Sequence, residues 1–115
     1  MRDQFSTTSS RGNAKLTYPV ALITADEVAL AGGKYNTKNE NYYLRTNGYF
    51  WTMTPSDFSA SYAYASVFRV DPTGVLVNSW VTISLGVRAV INLRSDLLIS
   101  SGDGTAQNPY ILSLN

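Results

Sequence analysis

Asp71-Pro72-Thr73-Gly74 separates two runs in which apolar and polar residues alternate, Tyr62 to Val70 and Val75 to Ile83. Proline presets the backbone for a tight turn and glycine completes it, so this segment predicts a hairpin between antiparallel strands. Residues Gly86 to Leu93 read as a further strand, which makes a three-stranded antiparallel meander the expected centre of the fold.

The rest of the chain is punctuated at similar intervals. A short buried strand is expected near Val20 to Ile23, where Tyr18 before Pro19 favours an extended entry. Thr24, with Glu27 three residues on, has the pattern of a capping box, and Gly32-Gly33 supplies a stop, so one short helix is expected over about residues 25 to 31. Val28 and Leu30 to Ala31 would form its buried side. Tyr42 to Leu44 and Tyr49 to Met53 read as strands about a Thr46-Asn47-Gly48 turn, with Pro55 ending the second run. Gly102-Asp103-Gly104-Thr105 reads as a turn before a last strand, Tyr110 to Leu114. The total is six or seven strands and one short helix: a single α+β domain over residues 14–115, preceded by a polar arm, residues 1–13.

Length and composition restrict function. A chain of 115 residues holds one ordinary domain. Nine Lys and Arg against eight Asp and Glu, with no run of either sign, argue against a nucleic-acid partner, which needs a basic surface. No stretch is long and apolar enough for membrane insertion, and the first residues lack the apolar middle of a secretory signal. The absence of both cysteine and histidine removes thiolate nucleophiles, disulfides, zinc sites and histidine bases. No cofactor is implied. Catalysis is left with carboxylates, tyrosines and lysines, and no nucleophile, base and orienter can be assembled from them. Asp26 and Glu27 are adjacent and point apart on a helix, which suits capping better than paired acid–base chemistry. Asp103 has only Asp96 nearby, too few carboxylates for a calcium loop. A non-enzymatic protein is therefore expected.

Aromatic residues are the main surplus. Trp51, Phe68 and half of the tyrosines are expected to pack, since one face of an alternating strand turns inward. The remainder form either an exposed platform or a solvated strand face. The stretch Ser56 to Ser66 mixes tyrosine with serine and alanine, a composition suited to binding. In the strand after Gly86, the period of two puts Val87, Ala89, Ile91 and Leu93 on one face and Arg88, Val90, Asn92 and Arg94 on the other. Gly86 implies close backbone approach. Arg88 reads as a structural clamp for loop carbonyls or a carboxylate, with Asp57 and Asp71 as possible partners.

Three stretches in order, LITADEVALAGG, YFWTMTPSDF, and GVRAVINL followed by SGDGTAQNPYIL, resemble the C-terminal part of a family of uncharacterised surface-associated proteins of gut and other Gram-positive bacteria. More distantly they resemble the formylglycine-generating-enzyme branch of the C-type lectin-like fold. The resemblance implies that fold, truncated relative to longer family members, with Thr24, Glu27, Trp51, Gly86 and Arg88 as scaffold. It does not carry over sulfatase activation, which uses cysteines. The branch includes variable proteins of diversity-generating retroelements, whose ligand surface would correspond here to residues 56–66 and 78–84. The resemblance thus implies a ligand-binding module at a bacterial surface or on a phage particle, recognising a protein or carbohydrate on another cell or host. Asp57, Ser59, Ser61, Tyr62, Tyr64, Asn78, Trp80 and Thr82 are its expected contacts. The alternative is a structural domain that forms a homo-oligomer or folds onto a missing upstream segment.

Overall fold

The computed structural model describes residues 5–7, 14–93, 96–105 and 107–114. In chain order the elements are β1 (Phe5–Ser6), β2 (Ala14–Lys15), β3 (Val20–Leu22), α1 (Ala25–Leu30), β4 (Lys34–Tyr35), β5 (Phe50–Ser59), β6 (Tyr64–Val70), β7 (Val75–Trp80), β8 (Ala89–Ile91), β9 (Leu97–Ser101) and β10 (Ile111–Leu114). The protein is β-rich with one short helix, as an α+β reading requires. Ten strands are present among the described residues instead of six or seven, because several are only two or three residues long. Of the expected N-terminal arm, Phe5–Ser6 pairs in parallel with Ala14–Lys15, and residues 8–13 lie outside the described residues.

The main sheet has the order β4-β7-β6-β5. Its β6–β7 hairpin turns on the segment that predicted it. Asp71 N–H donates to the Val75 carbonyl (3.1 Å) and Gly74 N–H to the Asp71 carbonyl (2.9 Å). The Asp71 carboxylate accepts from the Thr73 N–H (2.8 Å), the Thr73 hydroxyl (2.7 Å) and the Val75 N–H (3.1 Å). Gly74 has φ 79°, and a Cβ there would run into the Asn39 carbonyl, so this position needs glycine on two grounds.

The meander differs from expectation in its third member. The antiparallel run is β5-β6-β7, whereas β8 leaves it to pair with β3. Strand β5 also continues through Pro55, with register irregularities on both sides of it. It lies at the sheet edge, where a residue without an N–H and a bulge are both tolerated. Tyr42 to Leu44 is not a strand. It is a turn whose Tyr42 and Leu44 are buried; Arg45 N–H closes it on the Tyr42 carbonyl (3.1 Å), and the Tyr42 hydroxyl donates to the Gly74 carbonyl (3.2 Å).

Helix α1 starts as read. Thr24 Oγ1 accepts from Glu27 N–H (3.2 Å), while Glu27 Oε2 accepts from Thr24 N–H (2.8 Å), a reciprocal capping box. The Ala25 N–H, also without a partner inside the helix, is met by Thr54 Oγ1 at 2.8 Å. The buried side is Ala25 and Val28; Leu30, expected inside, is 89% exposed. Val28 and Leu30 stand two positions apart, about 200° around the helix, so they cannot face one neighbour.

The core is small: Ile23, Ala25, Val28, Tyr42, Leu44, Phe50, Val70 and Leu76, with Ala31, Phe68 and Val90 packed against it. It sits between α1, the Tyr42 turn and one end of the main sheet. Burying a side chain such as Val28 completely is worth roughly 1.5–3 kcal/mol. Tyr42 and Phe50 are the buried aromatics of this core; Trp51, expected to pack, is only half-buried and follows Phe50 on the opposite face of β5.

Candidate functional site

The ladder places the expected contact residues relative to this core. Val70 pairs with Leu76, Phe68 with Asn78, and Ser66 with Trp80; Asp57 pairs with Ser66 and Ser59 with Tyr64. Residues two apart on a strand share a face, so Asp57, Ser59, Tyr64, Asn78 and Trp80 lie on the face that holds Val70 and Leu76. The apolar core occupies one end of that face and ends at Phe68, and beyond the buried Ser66 the face opens to solvent.

At the open end three rings line up. Tyr64 stacks on Trp80 with centroids 4.6 Å apart and planes 21° apart, and Tyr62 lies nearly parallel to Tyr64 at 6.4 Å and 12°. The larger spacing means that the Tyr62 ring is offset from its neighbour rather than face to face. Tyr62 is 74% exposed, Trp80 53% and Tyr64 37%. Ordering three large rings in water without covering them leaves flat apolar area with polar tips available for contact.

The remaining expected residues sit around this ladder. Ser61 is in the turn between β5 and β6, next to Tyr62, and Thr82 follows β7 directly after Val81. Two backbone bonds hold that exit: Val81 N–H donates to the Ala65 carbonyl (3.1 Å) and Ile83 N–H to the Trp80 carbonyl (3.3 Å). Asp57 accepts from the Phe58 N–H at 2.8 Å, which orients its carboxylate. Ala63, with φ 52°, makes the strained corner that puts Tyr62 beside Tyr64. Two windows separated by the β6–β7 hairpin in sequence therefore meet at one end of the sheet.

One aromatic on this face escaped the sequence reading. Tyr35 pairs with Leu76 and meets Phe68 edge-on at 6.0 Å and 82°. It lies in a two-residue strand whose parallel partner is 41 positions away, and no local pattern announces such a pairing.

The scaffold residues have geometrical roles. Gly86 N–H donates to the Tyr49 carbonyl and its own carbonyl accepts from Trp51 N–H, both at 3.1 Å; a Cβ on Gly86 would lie 2.5 Å from the Tyr49 oxygen. Arg88 donates from Nη1 to the Leu44 carbonyl at 2.6 Å, and its guanidinium lies over the Phe50 ring, 5.3 Å from the centroid. Its hydrogen-bond partner is a loop carbonyl, the first of the two options left open, rather than Asp57 or Asp71. The Gly102 to Thr105 segment is the turn of the β9–β10 hairpin, where Asp103 and Gly104 N–H groups donate to the Asn108 carbonyl (3.0 and 3.1 Å). Bonds from Thr105 and Asn108, led by the Thr105 N–H, hold the Asp103 carboxyl below its ordinary value.

Among the described residues, no helix is long and apolar enough to cross a membrane, and no group of three or more carboxylates comes together. No protein-family model, curated protein or solved structure matches the chain.

Proposed function

We propose that the chain is a non-catalytic recognition module with a C-type lectin-like fold, which contacts a protein or carbohydrate through the Tyr62-Tyr64-Trp80 ladder. The observation that carries this reading is the ladder itself: three exposed rings held in register by β6, β7 and the Ala63 corner. Asp57, Ser59, Ser61, Asn78 and Thr82 around it supply hydrogen-bonding groups, the combination that gives an interface both contact area and orientation. The order of helix, Trp-containing strand and Gly-x-Arg strand supports the fold assignment, and by that resemblance the module is displayed outside the cell. The Gly-x-Arg strand is scaffold in this reading, because Arg88 is engaged with Leu44 and Phe50.

The test is binding to arrays of glycans and host surface proteins, comparing the wild-type chain with the Trp80→Ala, Tyr62→Ala double variant. A ligand retained by the wild type and lost, at unchanged far-UV circular dichroism, by the double variant is the expected result. A folded double variant that binds the same ligand equally well rules the ladder out.

A further inference from the structure

At β8 the structure keeps the two faces that the sequence period separates but turns the more apolar one outward, which leaves an apolar surface bare. Val90 and Arg88 turn toward the core, while Val87, Ile91 and Leu93, the face with the apolar pattern, are 74%, 63% and 55% exposed. Val20, paired with Ile91 on β3, is exposed beside them.

A second bare apolar face lies on the β9–β10 hairpin. Leu112 pairs with Ile99 and Leu114 with Leu97, so these four side chains line one side of a two-stranded ribbon; Ile99, Leu112 and Leu114 are exposed. The two strands pack chiefly on each other. An isolated hairpin is marginal in water, and this one carries neither charge nor proline within its strands, the usual protections of an open edge.

We propose that the chain self-associates, the apolar face of β9–β10 in one copy covering the outer face of β3–β8 in a second copy, and reciprocally. Several observations point to a second copy. One chain presents both halves of the contact. Two such contacts related by a two-fold axis close into a dimer and leave neither face open. Neither β3–β8 nor β9–β10 carries a charged residue within its strands, so like copies do not repel there. The area is also sufficient. Fully burying one aliphatic side chain removes about 60–120 Å² of apolar surface from water at the usual transfer coefficient. The seven exposed side chains on the two faces, roughly half accessible, therefore offer on the order of 300 Å² per copy. With the flanking Tyr110 and Ile111, this approaches the apolar share of a small specific interface.

The absence of cysteine makes the test direct. Sedimentation of the wild-type chain at micromolar concentrations should give an apparent mass twice that of one chain, and Ile91→Asp or Ile99→Asp should each return it to one. Both sites are exposed, so circular dichroism should be unchanged. Mixing Ile91→Cys with Ile99→Cys chains under mild oxidation should give a covalent dimer linking the two variants. A chain carrying both cysteines should give linked dimers as well. A monomeric wild type, association insensitive to both aspartates, or a bond formed only within the doubly substituted chain would overturn the proposal; the last outcome would mean that the hairpin covers its own β3–β8.

Discussion

Asp71 shows how one side chain can hold a turn. Burial opposes its charge, but the Thr73 hydroxyl, the Val75 and Thr73 N–H groups and the nearby Arg69 outweigh that effect and keep its carboxyl below the ordinary value. A carboxylate with a depressed folded pKa stabilises the fold above its unfolded pKa, near 4, and loses that contribution as pH falls through the folded value. Denaturant titrations at neutral pH and near pH 3 should show Asp71→Ala destabilised by about 1–3 kcal/mol at the former, with a smaller difference from wild type at the latter. Arg88 is the second residue whose role is set by its partners. Arg88→Met keeps much of the apolar stem but removes the donor to Leu44; a loss of about 1–3 kcal/mol in the same titration is expected, with binding at the ladder unchanged. The identity of Arg88 as a clamp was legible from Gly86 and the strand pattern. Its partner was not, because Leu44 lies 44 residues away in a turn that the sequence presents as a strand.

Elements divide according to how local their causes are. The helix start is written in Thr24 and Glu27, and the β6–β7 hairpin in Asp71 to Gly74, since each is closed by bonds spanning four residues or fewer. Thr24→Ala should lower the stability of the protein by about 1 kcal/mol through the cap alone, and Gly74→Ala by more than about 1 kcal/mol, because it adds a clash with Asn39 to the strain of a positive φ; thermal unfolding of the two variants ranks them. The β5 to β8 assignments succeeded in kind, and the β6–β7 pairing with them, but β5 and β8 take other neighbours than expected. Alternation finds a strand but does not name its neighbour, and β8 joins β3 across 67 or more residues. The same limit applies to burial: period two correctly separates Val87, Ile91 and Leu93 from Arg88 and Val90, yet cannot say which set faces the core. The candidate site was legible as two windows of Tyr, Trp, Ser and Asn, which the β6–β7 register brings together; the placement of Asp57 and Ser59 on the same face depended on the bulged register of β5 against β6.

For the whole molecule, shape and association belong together. The radius of gyration is 16.0 Å and the extents are 54 × 35 × 23 Å, against about 13 Å for a compact chain of this length. Among the described residues eight apolar side chains form the buried core, and much aliphatic surface lies on the two thin ribbons. Contact between uncharged apolar faces is not screened by ions, so a dimer of the proposed kind should persist when salt is raised and weaken in mild urea, as sedimentation under the two conditions can establish. By itself the sequence determined the local devices: the capped helix, the Asp71 turn, the strand periods and the lack of histidine and cysteine chemistry, because each depends on residues within a few positions of one another. Only the tertiary structure decided that β8 leaves the meander, that its apolar face turns outward and that Tyr62, Tyr64 and Trp80 stack. Those outcomes depend on which distant backbone groups pair and on which faces a small core has enough side chains to cover.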